Sequence, residues 1–468
     1  MEVRQLVLKT STSLIQVEPF KICLSTKNNI MAIYSKEEAR KIMEKALSFS
    51  SADACEINMS GSESGNIRYA RNTVSTSGHR SNQTLVVQSN FGKRSGTATI
   101  DEFDDASLEK VVKRAEELAK LSPENPEFMP VLGPQTYDES KTFSEATKNI
   151  TPEFRAKVAE SSIGPASSQE VTAAGFLNDS YGFSAMMNSK GLFAYNKSSN
   201  VNFTVTMRTN DGTGSGWVTR DFNDVAKFDG VEASNIAIKK AVMSKEAKAI
   251  EPGKYTVILE PAASIGLLQN MFGSFNARSA DEGRSFMSKE GGGTKLGEKI
   301  VDERVNIWSD PLDPEVPTAT WNGSGQPLKK MTWVENGVVK NLAYGRYWAK
   351  EKGVDPVPFP PNGIMAGGTA SLDDLIKSTK KGILVTRLWY IRGVDPQTLL
   401  YTGLTRDGTF YIENGKIKHP IKNFRFNESP IIMLNNLETL GQQVRINGNL
   451  IPYMKIRDFT FTSLSDAV

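Results

Sequence analysis

Side chains able to bind a transition metal or act as nucleophiles are scarce in this sequence. Its 468 residues include two histidines, His79 and His419, and two cysteines, Cys23 and Cys55. A catalytic zinc takes three protein ligands, most often His, with Cys, Asp and Glu supplying the rest. His79 lies in the polar run Ser77-Gly-His-Arg-Ser81 and His419 stands beside Pro420 after a turn, so each reads as a solvated loop side chain. Cys55 falls in the middle of an expected strand and reads as a small core residue rather than a nucleophile. No Gly-x-Ser-x-Gly elbow occurs. The acidic clusters at 101–105 and 310–315 read as a helix start and a proline-rich turn, which assigns no calcium or magnesium. Gly212-Thr-Gly-Ser-Gly216 links two expected strands and opens no helix, so it reads as a hairpin tip rather than a phosphate cradle. Gly291-Gly-Gly293 reads as a mobile loop able to gate a groove.

The most informative stretch is 256–275, TVILEPAASIGLLQNMFGSF. It reads as a buried strand that turns through Pro261 into a helix, with Leu267, Leu268, Met271, Phe272 and Phe275 in the core. Around it the pattern is α+β. Ser35-Lys-Glu-Glu38 is a capping box ahead of apolar residues at 39, 42, 43 and 46. Short strands are expected at 54–59, 65–69, 84–88 and 94–99, then an amphipathic helix over 107–121. Four prolines in 122–134 mark a surface connection, and Thr151-Pro152 starts another helix. Strands at 184–187, 192–196, 201–207 and 215–219 and a helix over 230–245 complete the first half. In the second half, Asn336-Gly337 and Asn414-Gly415 each sit between alternating strands as hairpin turns. Segments 383–389, 401–405 and 454–461 add further strands, and 371–378 reads as a helix. The expected division is a loosely ordered extension or misassigned start over 1–30, an α+β domain of antiparallel strands with flanking helices over 31–249, and a mainly β barrel or sandwich over 250–468.

The strand–helix stretch resembles the active-site segment of the TldD/PmbA peptidase family. Zinc-bearing members carry His-Glu-x-x-x-His on that helix; aligned without a gap, this chain has Gln269-Asn-Met-Phe-Gly-Ser274, while Leu267, Leu268 and Gly273 match. The resemblance covers nearly all of 35–465 through short motifs in a shared order. They are Asp53-Ala-Cys-Glu-Ile-Asn58, Phe91-Gly-Lys-Arg-Ser-Gly-Thr-Ala98, Asn188-Ser-Lys-Gly-Leu-Phe193, and Tyr411-Ile-Glu-Asn-Gly-Lys-Ile417 followed by Pro420-Ile-Lys422. It implies a pair of paralogues. One binds zinc through the two helix histidines and a cysteine near its C-terminus. The other, the TldE/PmbA-like kind, lacks these and partners the first in a peptidase acting on peptides or unfolded chains.

The departures identify this chain with the second kind, since no cysteine follows Cys55 either. Gln269 and Ser274 offer neutral oxygens that zinc takes poorly, and Asn270 cannot accept a proton from water. The resemblance thus makes Gln269, Asn270 and Ser274 degenerate catalytic positions, and Gln269, Asn270, Phe272 and Ser274 candidates to line a substrate groove. It implies no metal or cofactor in this chain, zinc in a partner paralogue, and assembly as a heterodimer with that paralogue or a homodimer with itself. The alternative implied is a stand-alone homodimeric peptide-binding or regulatory protein, since the family has been described as a modulator of DNA gyrase. A self-sufficient hydrolase with a carboxylate-rich site is a weaker third reading.

A net charge of +3 gives no footprint for direct nucleic-acid binding. The apolar runs are too short to cross a bilayer, and no uninterrupted apolar segment precedes a cleavage site near the start. Two cysteines make no disulfide framework, so a cytoplasmic protein is expected.

Overall fold

The computed structural model describes residues 33–465; the expectations for 1–30 and for Cys23 lie outside them. The first half runs α1 (Lys36–Ser48), β1 (Ala54–Ala70), β2 (Thr73–Phe91), β3 (Arg94–Ile100), α2 (Asp105–Leu121), α3 (Glu145–Lys148), α4 (Pro152–Ser168), β4 (Val171–Asn188), β5 (Phe193–Thr209), β6 (Ser215–Phe222) and α5 (Gly230–Met243). Its strands form one antiparallel sheet in the order β3-β2-β1-β4-β5-β6. The capping box is present at α1, Asp104 caps α2 and Thr151 caps α4.

Strand length is where the sequence reading falls short. Segments 54–59 and 65–69 are one strand, and the run around His79, expected as a loop, is the exposed outer part of β2. The reason is the turn. Arg71 and Asn72 both take positive φ, the tight hairpin geometry that right-twisted strands prefer, so the ladder runs from Ala70 to Ala54 with one bulge. Solvated polar residues can pair in such a ladder with no apolar alternation to reveal them.

Alternation elsewhere sets the packing. Odd-numbered residues of β1 and β4 face the helices: Cys55, Ile57, Met59, Ala185 and Met187 pack with α1 and α2, while Ile67, Tyr69, Val171, Ala173 and Leu177 pack with α4 and α5. Even-numbered residues turn to the opposite face, among them Asn200, Asn202 and Thr204 on β5. Gly96 allows α2 its approach, because a Cβ there would stand 2.1 Å from the Ala119 nitrogen.

The second half runs β7 (Gly253–Leu259), α6 (Pro261–Gly273), α7 (Ala277–Asp281), β8 (Ile307–Ser309), β9 (Met331–Glu335), β10 (Val338–Val339), α8 (Arg346–Lys352), β11 (Ile364–Met365), α9 (Leu372–Lys377), β12 (Lys381–Val385), β13 (Leu388–Asp395), β14 (Leu400–Thr405), β15 (Thr409–Glu413), β16 (Lys416–Pro420), β17 (Asn423–Glu428), α10 (Pro430–Asn435), β18 (Leu437–Ile446) and β19 (Asn449–Ser465). Both Asn-Gly hairpins form. All thirteen strands join one sheet whose hub is β19, paired with β7, β11, β17 and β18. The sheet is mixed, with β7–β12 and β11–β19 parallel, and among the described residues it does not close into a barrel. Parallel pairs need long crossovers, and the one between β7 and β12 begins with α6. No helix among the described residues is long and apolar enough to cross a membrane.

Candidate functional site

Helix α6 starts at Pro261, whose missing N–H costs nothing in a first turn. Its cap residue, Glu260, makes no side-chain cap and instead accepts from Lys240 Nζ of α5 at 2.7 Å, fastening the helix start to the first half. Ala263, Ile265, Leu267, Leu268, Met271 and Phe272 are buried in the main core of the second half. Burying each large aliphatic or aromatic side chain there contributes about 1.5–3 kcal/mol, so the helix is fixed in place.

Gln269 breaks this apolar surface. Together with Phe272 and Gly273 it lines a cavity of about 670 Å³ between the halves. Across from it stand Asn200 and Asn202 of β5, and Asp221 and Asn223 of β6 and its continuation. The loop at 316–318, the segment 359–363 and the turn after β18, with Arg445, complete the wall. Phe272 packs on Gly363, where a Cβ would meet the ring at 2.4 Å. The Gly363 N–H donates to Asn449 Oδ1 at 2.7 Å, so backbone, not side chain, faces the ring.

The sequence-derived positions separate in space. Gln269 and Phe272 are in the cavity wall, whereas Asn270 is exposed outside it and donates its Nδ2 to the Gly266 carbonyl at 2.8 Å. Ser274 is buried at 7% exposure and donates Oγ to the Met271 carbonyl at 2.7 Å. Ser274 is the residue that ends the helix, and with its hydroxyl turned to that carbonyl it does not join Gln269 in the cavity wall. His79 lies 3.1 Å from Glu63 on the exposed hairpin. His419, in the other sheet, donates Nδ1 to the Pro420 carbonyl and stacks on Tyr411. Burial pushes the Cys55 thiol above its ordinary value, which suits a core residue. Among the described residues no three His, Cys, Asp or Glu side chains cluster as a metal site.

The residues that sequence reasoning missed are Asn200, Asn202, Asp221, Asn223 and Arg445. A signal existed: Asn200-Val-Asn-Phe-Thr204 alternates strictly, so its polar face had to meet either water or a polar counterpart.

Three family models match in chain order: PmbA/TldA metallopeptidase domain 1 over residues 55–119, the central domain over 139–245 and the C-terminal domain over 252–463. A metalloprotease of Methanothermobacter thermautotrophicus is 24% identical over 289 residues, 56% of this chain and 61% of that relative, so the match spans less than two thirds of the relative's length. The metalloprotease PmbA of Escherichia coli O157:H7 is 20% identical over 458 residues, 91% of this chain and 98% of that one. The crystal structure of TldE from Thermococcus kodakarensis is similar in fold, with a TM-score of 0.82 at 19% identity over 91% of this chain and 100% of that chain.

Proposed function

The chain belongs to the PmbA/TldD metallopeptidase family, and we propose that within it this protein is the TldE/PmbA-like subunit, assisting proteolysis of peptides or unfolded chains without a zinc of its own. The observation that carries this is how α6 spends its polar groups. At the positions aligned with zinc ligands and base, Asn270 and Ser274 donate to carbonyls of their own helix, and Gln269 alone faces the cavity. Zinc requires imidazole, thiolate or carboxylate donors that converge, and these residues do not fit it. A carboxamide also cannot take the proton of an attacking water.

The contribution is then indirect. The subunit pairs with a zinc-bearing paralogue, completes the enclosure around the substrate and offers strand edges to which an extended peptide adds. The character of the β13 edge supports such assembly. Among the described strands it pairs only with β14, and it exposes Trp389, Tyr390 and Val394. Ile391 of the same strand packs against Gly266, where a Cβ would meet it at 2.7 Å, so this edge touches α6. A cytoplasmic location belongs to the reading.

The test is to purify the chain alone and together with a zinc-bearing paralogue, then measure mass, zinc content and peptide hydrolysis. Alone, it should carry no stoichiometric zinc and hydrolyse nothing; the mixture should be a heterodimer that cleaves peptides. Hydrolysis by the chain alone with one bound zinc defeats the proposal, and a self-pair that ignores the paralogue favours the homodimeric peptide-binding alternative.

A further inference from the structure

The cavity wall supplied by the six-stranded sheet is a block of polar side chains with acceptors to spare. Asn200 and Asn202 lie two apart on β5, Asn202 is the register partner of Asp221 on β6, and Asn223 follows two residues later. All four line the cavity opposite Gln269. Asp221 is 5% exposed. Its Oδ2 accepts from Arg445 Nε at 3.0 Å and from the Gly448 N–H at 2.9 Å, while its buried Oδ1 accepts from no group among the described residues. Asn223 repeats the arrangement. Its Nδ2 donates to the Ser199 carbonyl at 3.0 Å and the Thr142 carbonyl at 3.3 Å, and its buried Oδ1 accepts from nothing among the described residues.

Buried acceptors without donors are rare, because each gives up water and receives nothing in exchange. Two beside one cavity, one of them a carboxylate oxygen, ask for a ligand rich in N–H. A primary ammonium suits them best: it carries three donors in a tripod and a charge that strengthens the contact to Asp221. A metal ion suits them worse, since the single carboxylate is already shared with Arg445 and hard cations gather several charged oxygens.

We propose that this cavity binds the primary ammonium group of a peptide, held by Asp221 Oδ1 and Asn223 Oδ1, with the Asn202 carboxamide completing the set. Peptides as the carrier rest on the function proposed above; the ammonium chemistry rests on the cavity alone. Two sources share this chemistry, the α-amine of a peptide N-terminus and the ε-amine of lysine. The pairing with Arg445 holds Asp221 in place and leaves one oxygen for the ligand.

Isothermal titration of the full chain with three versions of one peptide tests this. One is lysine-free with a free N-terminus, one N-acetylated with a single lysine, and one N-acetylated and lysine-free. At least one amine-bearing version should bind roughly tenfold tighter than the amine-free one, and the version that does so names the source. Asn202→Val, a substitution a strand accepts, should remove that preference. Equal affinity for all three peptides, binding of none, or a preference that survives N202V overturns the proposal. None of these outcomes touches the assembly with a zinc-bearing paralogue, which mass, zinc content and hydrolysis decide.

Discussion

Arg445 of β18 donates Nε to Asp221 of β6 at 3.0 Å, joining the two halves of the chain at the wall of their shared cavity. Both side chains are less than a tenth exposed, at 9% and 6%. The guanidinium also donates Nη1 to the Glu315 carbonyl, so one side chain fastens a strand, a sheet face and a loop. A buried ion pair adds little net stability over an apolar pair, but removing one member leaves a charge uncompensated. Arg445→Met should therefore cost about 3–5 kcal/mol in urea unfolding. A loss within the range of exposed ion pairs, about 0–1 kcal/mol, would mean that Asp221 finds water when its partner goes.

A second buried pair lies within the first half and isolates the same physics from the cavity. Arg155 of α4 grips Asp179 of β4 bidentately, at 2.5 and 2.7 Å. Gly65 makes room for it, since a Cβ there would fall 1.9 Å from the guanidinium. Asp179→Leu alone should destabilise by about 3–5 kcal/mol, whereas the double variant Arg155→Met, Asp179→Leu should recover most of that loss. Additive losses in a denaturation cycle would mean that the two side chains do not couple.

The helices and the site divide sharply in how far the sequence discloses them. Ser35, Asp104 and Thr151 mark helix starts through local hydrogen bonds that neighbours in sequence complete, and all three act as caps. The Asn-Gly turns are equally local. The length of β1 and β2 depends instead on polar residues pairing in solvent, which leaves no periodic trace. Helix α6 was readable as buried, but not which way its polar residues point; Ser274 turns its hydroxyl to the Met271 carbonyl while Gln269 lines the cavity. Asp221 and Arg445 are 224 residues apart, and no local pattern announces a pairing at that distance.

Alkaline conditions should weaken the first half through Tyr69. This ring is 1% exposed and fits over Gly175, its register partner, where a Cβ would stand 2.2 Å from the ring. Its hydroxyl donates to Ser162 at 2.7 Å, and Ser162 bonds Ser234 at 2.7 Å. Burial, only partly opposed by the Ser162 contact, pushes the Tyr69 hydroxyl up to about 12 from the ordinary 10.0. The unfolded chain therefore releases this proton first as pH rises. The stabilisation is complete below about pH 10 and is lost towards about pH 12. Tyr69→Phe should cost about 1 kcal/mol at neutral pH and show a shallower decline of unfolding free energy across that window. An unchanged slope would place the alkaline sensitivity in other tyrosines such as the partly buried Tyr453, also pushed up to about 12.

Assembly should depend on β13. Trp389, Tyr390 and Val394 are 37%, 54% and 54% exposed on a strand whose other edge has no neighbour among the described strands. Arg406 and Arg392 lie over Trp389 and Tyr390 at 4.2 and 4.3 Å, which holds the rings in place rather than leaving them free to fold back. A rigid aromatic edge is costly to leave in water and is what a partner's strand or apolar groove covers. Because Ile391 packs on Gly266, whatever docks there also bears on α6. Val394→Glu places a charge in the proposed contact without touching the core. It should weaken the complex with a zinc-bearing paralogue roughly tenfold, about 1.4 kcal/mol, in analytical ultracentrifugation, while the thermal midpoint of the single chain stays where it was. A complex of undiminished affinity would move the interface off β13, and a lowered midpoint would show that Val394 serves the fold instead.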